Sequence, residues 1–115
     1  MKIHNMKLYP EYFEQVRTGE KIREYRLYDE KRKQIKIGDM IIFQNTANLD
    51  ETVSVLVEEI STFNSFFEMY NSYFDLDFKE QYKSVDDVVT DTYPIYTKEQ
   101  QEEYGGVCFK IKKLK

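Results

Sequence analysis

Apolar and polar residues alternate in short segments of this chain, which is the pattern of β-strands with one buried face. These segments are 2–8, 21–28, 52–60 and 107–114, and the uninterrupted apolar segment 40–43 is a fifth candidate strand. Segment 40–43 is apolar on both faces, and this predicts a strand in the interior of a sheet or barrel. The polar residues 45–50 are expected to form the turn that follows it.

Helix-starting and helix-ending residues separate most of these segments. The expected helices start at Pro10, after Ser61 or Thr62, after Ser84 and after Thr97. Thr97 and Gln100 have the spacing of a capping box, in which each side chain bonds a backbone N–H of the other residue. Gly19 and the pair 105–106 are expected to end two of the helices. Residues 71–78, which are aromatic and acidic, are expected to form a loop.

The order of these elements restricts the fold class. Strands and helices do not alternate regularly, which argues against a doubly wound parallel sheet. We therefore predict an α+β fold, a small and mostly antiparallel β-barrel with flanking helices. The length of 115 residues and the absence of repeats or linkers predict one domain over residues 1–115.

Composition excludes several kinds of site. The single cysteine, Cys108, leaves no intramolecular disulfide and no cysteine-based zinc site, and His4 is the only histidine. We expect no metal and no cofactor. The chain contains no long apolar run, so neither a signal peptide nor a membrane span is predicted, and the cytoplasm is the expected location.

Charge is distributed unevenly along the chain. The net charge is −4, yet residues 17–36 contain eight basic and four acidic residues and carry +4, which leaves −8 for the rest. An acidic protein with one basic region is expected to bind a polyanion only locally. Arg23, Lys31 and Arg32 are the possible polyanion contacts. The alternative for residues 31–33 is an ordinary solvated surface.

One motif carries a resemblance to a known family. Residues 19–26 read Gly-Glu-Lys-Ile-Arg-Glu-Tyr-Arg and match the pattern G-x-K-x-x-E-x-R. The motif, together with segments 8–13, 37–43 and 104–107, resembles the ASCH (activating signal cointegrator homology) family. This resemblance implies a PUA-like barrel with a cleft for RNA or a modified nucleoside. It also implies that Gly19, Lys21, Glu24 and Arg26 are the motif residues.

The chemistry of these side chains is compatible with nucleotide recognition. Glu24 and Arg26 lie two residues apart and therefore share one face of a strand. Together with Lys21 they offer hydrogen-bond donors and acceptors for a base and a cation for phosphate. Tyr93 is a candidate stacking surface, and Asn45 a candidate hydrogen-bonding partner. The alternatives are a structural Glu24–Arg26 ion pair and an ordinary turn role for Asn45.

Three functions are consistent with this sequence. The first is a binding module for RNA, a nucleoside or a nucleotide, without chemistry. The second is a hydrolase, because one branch of the family resembles an amidohydrolase that acts on acetylated cytidine; Lys21 and Glu24 would then be catalytic. That branch has a hydroxyl residue where this chain has Glu24, and a carboxylate keeps a neighbouring lysine protonated, so the binding module is favoured. The third is a regulator that binds another protein.

Overall fold

The structure of the protein is a computed structural model that describes residues 1–114. Strands and helices follow one another along the chain without regular alternation. Over these residues the chain forms five β-strands, five α-helices and one π-helical turn. The strands are β1 Ile3–Leu8, β2 Arg23–Leu27, β3 Met40–Asn45, β4 Asn48–Phe63 and β5 Gly106–Lys113. The helices are α1 Pro10–Thr18, α2 Glu30–Lys33, α3 Phe66–Tyr73, α4 Val85–Thr92 and α5 Lys98–Tyr104, and the π-helical turn is Phe74–Phe78.

The strands form one sheet in the order β1-β3-β4-β5-β2. Strand β3 lies between β1 and β4, which confirms the interior position predicted from its apolar faces. Strands β3 and β4 pair antiparallel, with Ile41 opposite Val55 and Phe43 opposite Val53. The β1–β3 pair is parallel, because the long connection through α1, β2 and α2 returns the chain in the same direction. The α+β class is confirmed, although the sheet is not antiparallel throughout.

Contacts within the chain divide it into two compact units. Unit one comprises residues 1–24, 34–60 and 109–114, and unit two comprises residues 25–33 and 61–108. The expectation that residues 1–115 form a single domain stays a prediction. No helix in the described part of the chain has the length and apolar character needed to cross a bilayer.

Helix α1 belongs to unit one and follows the sequence signals closely. Pro10 occupies the start of the helix, where a missing backbone N–H costs nothing. Phe13 and Val16 are buried, and they form the apolar face of the helix. Gly19 ends it in the left-handed conformation (φ 83°) and donates its N–H to the carbonyl of Val16 at 3.1 Å. The chain is thereby turned directly into the motif segment.

Unit two is organised around aromatic residues. Its buried cluster consists of Leu27, Phe66, Met69, Tyr70, Val88 and Val89. Partly buried rings surround this cluster, among them Tyr25, whose centroid lies 5.0 Å from that of Phe78 and 5.6 Å from that of Tyr70. Rings at these distances and tilted orientations pack favourably.

Two sequence predictions in unit two were wrong. Helix α3 begins after Ser65, not after Ser61 or Thr62, because the Ser65 hydroxyl accepts the N–H of Glu68 and β4 continues to Phe63. Residues 71–78 are not a loop. Helix α3 and the π-helical turn run through them, and Phe74 and Phe78 pack against the buried cluster.

Helices α4 and α5 begin where the sequence predicts, and α5 also ends where it predicts. Ser84 accepts the N–H of Asp87 at the start of α4. Thr97 and Gln100 form the complete capping box of α5. Gly105 ends α5 and leads into β5, so the predicted stop is confirmed.

Asp39 fixes the beginning of β3 in unit one. Its carboxylate accepts the backbone N–H groups of Lys2 and Lys36, each at 3.0 Å, and lies 2.9 Å from Nε2 of His4. The side chain is only 8% exposed. The hydrogen bond to His4 and the two backbone N–H groups hold the pKa of Asp39 far below its usual value.

This arrangement predicts acid sensitivity. A lowered folded-state pKa stabilises the protein at any pH above the unfolded-state pKa of about 3.9, and that contribution is lost as the pH falls from there towards the folded-state value. We expect Asp39→Asn to be less stable than the parent at neutral pH and to lose less further stability on acidification. Urea unfolding followed by far-UV circular dichroism, at neutral pH and at a pH of about 3, below the unfolded-state pKa, measures the stability of both proteins. Parallel pH profiles for the two proteins would contradict this account.

Candidate functional site: a lysine pocket in unit one

The motif segment follows α1 and places Lys21 beside Glu24. The backbone N–H of Lys21 donates to the carbonyl of Gln15 at 2.9 Å, which holds this segment against the helix. Lys21 Nζ lies 3.6 Å from Glu24 Oε1 and 5.8 Å from the centroid of the Tyr12 ring. The side chain of Lys21 is 17% exposed and that of Glu24 is 6% exposed. The motif therefore contains a largely buried ion pair.

Strand β5 contributes the other cations of this region. The N–H of Ile111 donates to the carbonyl of Ile22 at 2.9 Å, and the N–H of Leu114 donates to the carbonyl of Ser54 at 2.8 Å. The first bond brings β5 next to the motif, although the two segments are about ninety residues apart in sequence, and the second joins the residue after β5 to β4.

A pocket of about 320 Å³ lies where the motif and β5 meet. We call it the lysine pocket, because Lys21, Lys110, Lys112 and Lys113 line it. Ile22 and Ile111 contribute apolar surface, and Glu58 of β4 is the acidic residue in its lining. Ile22 is 40% exposed, whereas Ile111 is buried. The pocket thus joins cations to an apolar wall, a combination suited to an organic anion.

The sequence prediction missed Lys110, Lys112 and Lys113. Three lysines within four residues of a predicted strand were a visible signal, but they lie outside the basic region 17–36. Their relation to Lys21 depends on the pairing of Ile22 with Ile111, which no local pattern reveals.

Of the predicted binding residues, Lys21, Glu24 and Asn45 belong to unit one, whereas Arg26 and Tyr93 belong to unit two. Asn45 is buried at the end of β3, and its Oδ1 accepts the N–H of Ala47 at 3.0 Å, as in an ordinary turn. Tyr93 follows α4 and packs, partly buried, against the aromatic cluster. Arg26 is half-buried in β2. Their roles in binding stay predictions.

The possible polyanion contacts differ in accessibility. Arg23 is half-buried in β2, in unit one, and Lys31 is exposed on α2. Arg32 is held by Asp29 through a hydrogen bond of 2.7 Å, and its side chain is only 13% exposed. Lys31 is therefore the most accessible of the three.

A metal site finds no support in residues 1–114. Within this range no group of three or more His, Cys, Asp or Glu side chains is placed so that it could hold an ion. The predicted site residues consist instead of ammonium, guanidinium, carboxylate, amide and phenol groups, which bind ligands through hydrogen bonds and charge.

Comparison with known proteins extends the resemblance that the motif suggested. The family model described as the ASCH domain matches residues 6–115. A crystal structure of hypothetical protein PH0355 is 36% identical, with a TM-score of 0.83, and the match covers 99% of this chain and 100% of that one. The solution structure of protein PF0455 from Pyrococcus furiosus is 33% identical, with a TM-score of 0.76 and coverage of 100% and 99%. No curated protein matches.

A more distant structure has the same fold. It is a mutant of the protein ZmASCH from Zymomonas mobilis, 14% identical, with a TM-score of 0.61. The match covers 96% of this chain and 67% of that one. At this level of identity the similarity extends to the fold alone.

Proposed function

Because the chain belongs to the ASCH domain family, which is associated with RNA recognition, we propose that it is an RNA-binding module whose contact surface is the lysine pocket. The observation that carries this proposal is the convergence of four lysines on one pocket of an acidic protein. Lysine ammonium groups bind phosphate oxygens without regard to base sequence. The apolar wall beside them adds a surface for a sugar or a base.

The ion pair within the motif supports binding over hydrolysis. A lysine that acts as a base or nucleophile must lose its proton, which a neighbouring cation or an apolar pocket promotes. Here the carboxylate of Glu24 lies 3.6 Å from Nζ of Lys21. A carboxylate partner is the opposite of the cation or the apolar surroundings that activate a lysine, so this contact supports the binding role.

The proposal predicts that the exposed lysines of β5 determine RNA affinity. We expect Lys112→Ala/Lys113→Ala to weaken binding of a short single-stranded RNA about tenfold at low salt, because two phosphate-directed charges are lost. The matched control is Lys79→Ala/Lys98→Ala, which removes two exposed lysines of unit two. Fluorescence anisotropy of a labelled RNA at several salt concentrations measures the RNA affinity of both variants and of the parent protein.

Three results would contradict this proposal. Equal losses in the two double variants would mean that only net charge matters, and no RNA binding by the parent protein would remove the function itself. Acetate release from acetylated cytidine that depends on Lys21 would replace the binding module with a hydrolase. If the protein neither binds RNA nor hydrolyses acetylated cytidine, a regulator that binds another protein becomes the favoured function.

A further inference from the structure

We infer that the lysine pocket takes one unpaired nucleotide of a single strand, with its phosphodiester at the lysines and its base or sugar against Ile22. This inference rests on the proposed function and narrows it. The inferred binding mode differs from that of proteins that bind along the backbone of a single-stranded nucleic acid and from that of proteins that recognise the shape of an RNA duplex. Three features of the pocket support it: its size, its charge balance and its apolar wall.

The size of the pocket suits one small organic unit. At about 320 Å³ it falls at the lower end of the range of roughly 300 to 1,000 Å³ that is typical of small-molecule sites. An extended groove is needed to hold several consecutive nucleotides, as in proteins that follow a single strand. The pocket instead matches a single nucleotide, whose neighbours would lie outside it.

The charge balance suits one phosphodiester. Lys21 pairs with Glu24 at 3.6 Å, Lys110 Nζ lies 4.0 Å from Glu59 Oε1, and Glu58 lines the pocket. Counting the four lining lysines against Glu58 and the two carboxylates that pair with Lys21 and Lys110 gives an excess of one positive charge. One phosphodiester carries one negative charge and neutralises this excess. A chain of phosphates or a terminal phosphomonoester would exceed it.

The apolar wall requires a base or sugar that is free to reach it. Ile22 is 40% exposed and stands beside Ile111, held there by the backbone hydrogen bond between the two residues. Bases in a duplex are stacked and paired, so they cannot leave the helix without an energetic cost, whereas unpaired bases can be splayed out onto a protein surface. The pocket therefore discriminates in favour of single-stranded RNA.

The salt dependence of binding tests the charge argument. Each phosphate neutralised on a single strand contributes about −0.7 to the slope of log K against log salt. We expect the slope to lie near about −0.7, whereas four independent phosphate contacts would give about −2.8. A trinucleotide should then bind nearly as tightly as a longer single strand of the same composition. The longer strand gains only the statistical factor of offering more equivalent nucleotides to the pocket.

Ile22→Ser and Lys112→Ala test the two halves of the site separately. Both residues are exposed, so neither change removes buried core. We expect Ile22→Ser to lower the affinity for single-stranded RNA severalfold and to leave the affinity for inorganic polyphosphate unchanged. We expect Lys112→Ala to lower the affinity for both ligands. The annealed duplex should bind at least several times more weakly than the single strand.

The possible failures are distinguishable. A duplex that binds as tightly as the single strand, a slope near that of four phosphates, or an equal effect of Ile22→Ser on both ligands would overturn the single-nucleotide inference. The RNA-binding function would survive each of these results. The function fails, and the inference with it, if the parent protein does not bind RNA or if Lys112→Ala/Lys113→Ala loses no more RNA affinity than the unit-two control.

Discussion

Replacement of Gly105 with alanine is expected to destabilise the protein by roughly 3–5 kcal/mol, a large share of a typical domain's stability. Gly105 has φ 70° and ψ −168°, a conformation that is essentially restricted to glycine. A Cβ atom at this position would lie 2.3 Å from the carbonyl oxygen of Phe63. Because this neighbour is backbone, no side-chain rotation relieves the clash.

Backbone hydrogen bonds prevent the chain from moving away. The N–H of Gly105 donates to the carbonyl of Gln101 at 2.8 Å, and its own carbonyl accepts the N–H of Tyr28 at 3.0 Å. A shift of Gly105 would therefore weaken the end of α5 and the connection to the segment after β2. The alanine variant must either break these bonds or accept the clash.

Gly106→Ala is the matched control, one residue further along the chain. Its added Cβ would meet Met69 Sδ at 2.9 Å and Met69 Cε at 3.2 Å, and these atoms end a flexible side chain. We expect a loss of about 1 kcal/mol for this variant. Urea unfolding followed by far-UV circular dichroism compares the two. Similar losses would show that the backbone conformation of Gly105 is not the cause.

Sequence patterns identified the features that depend on near neighbours. The N-caps Ser84 and Thr97 and the helix-ending Gly19 each bond to backbone or side-chain groups within three residues. Such bonds form wherever the local sequence allows them, and the sequence therefore places them correctly. The interior strand β3 was equally predictable, since its apolar character on both faces reports burial directly.

Features that depend on distant partners were not predictable in the same way. Ser61, Thr62 and Ser65 are all chemically suitable N-caps, and the choice of Ser65 depends on how far β4 continues as a strand. The length of β4 is set by its sheet neighbours, not by its own residues. The lysine pocket follows the same rule, because Lys112 approaches the motif only through the pairing of β5 with Ile22.

The motif pair offers the second large effect. We expect Glu24→Gln and Lys21→Met each to destabilise the protein by about 2 kcal/mol, below the 3–5 kcal/mol of a fully buried pair because Lys21 keeps some contact with water. Each single change removes the opposite charge that lies 3.6 Å from the remaining charged group, in a largely buried place. The double variant Lys21→Met/Glu24→Gln removes both charges, so its loss should be smaller than the sum of the two single losses.

Glu14 and Arg17 supply the control for this double-mutant cycle. They form an ion pair with the same i, i+3 spacing, but their side chains are 55% and 51% exposed. Water screens exposed pairs, so we expect no measurable coupling from the corresponding cycle. Equal coupling energies in the two cycles would mean that burial of the motif pair contributes nothing.

The same variants separate the structural role of the motif from its role in binding. If Glu24 serves to hold Lys21 at the pocket, Glu24→Gln should lower RNA affinity less than Lys21→Met, because the ammonium group remains in the lining. Lys21→Met/Glu24→Gln should then recover stability relative to the single variants while its RNA affinity stays as low as that of Lys21→Met. Recovery of both properties would assign the motif pair to folding alone and leave RNA binding to the lysines of β5.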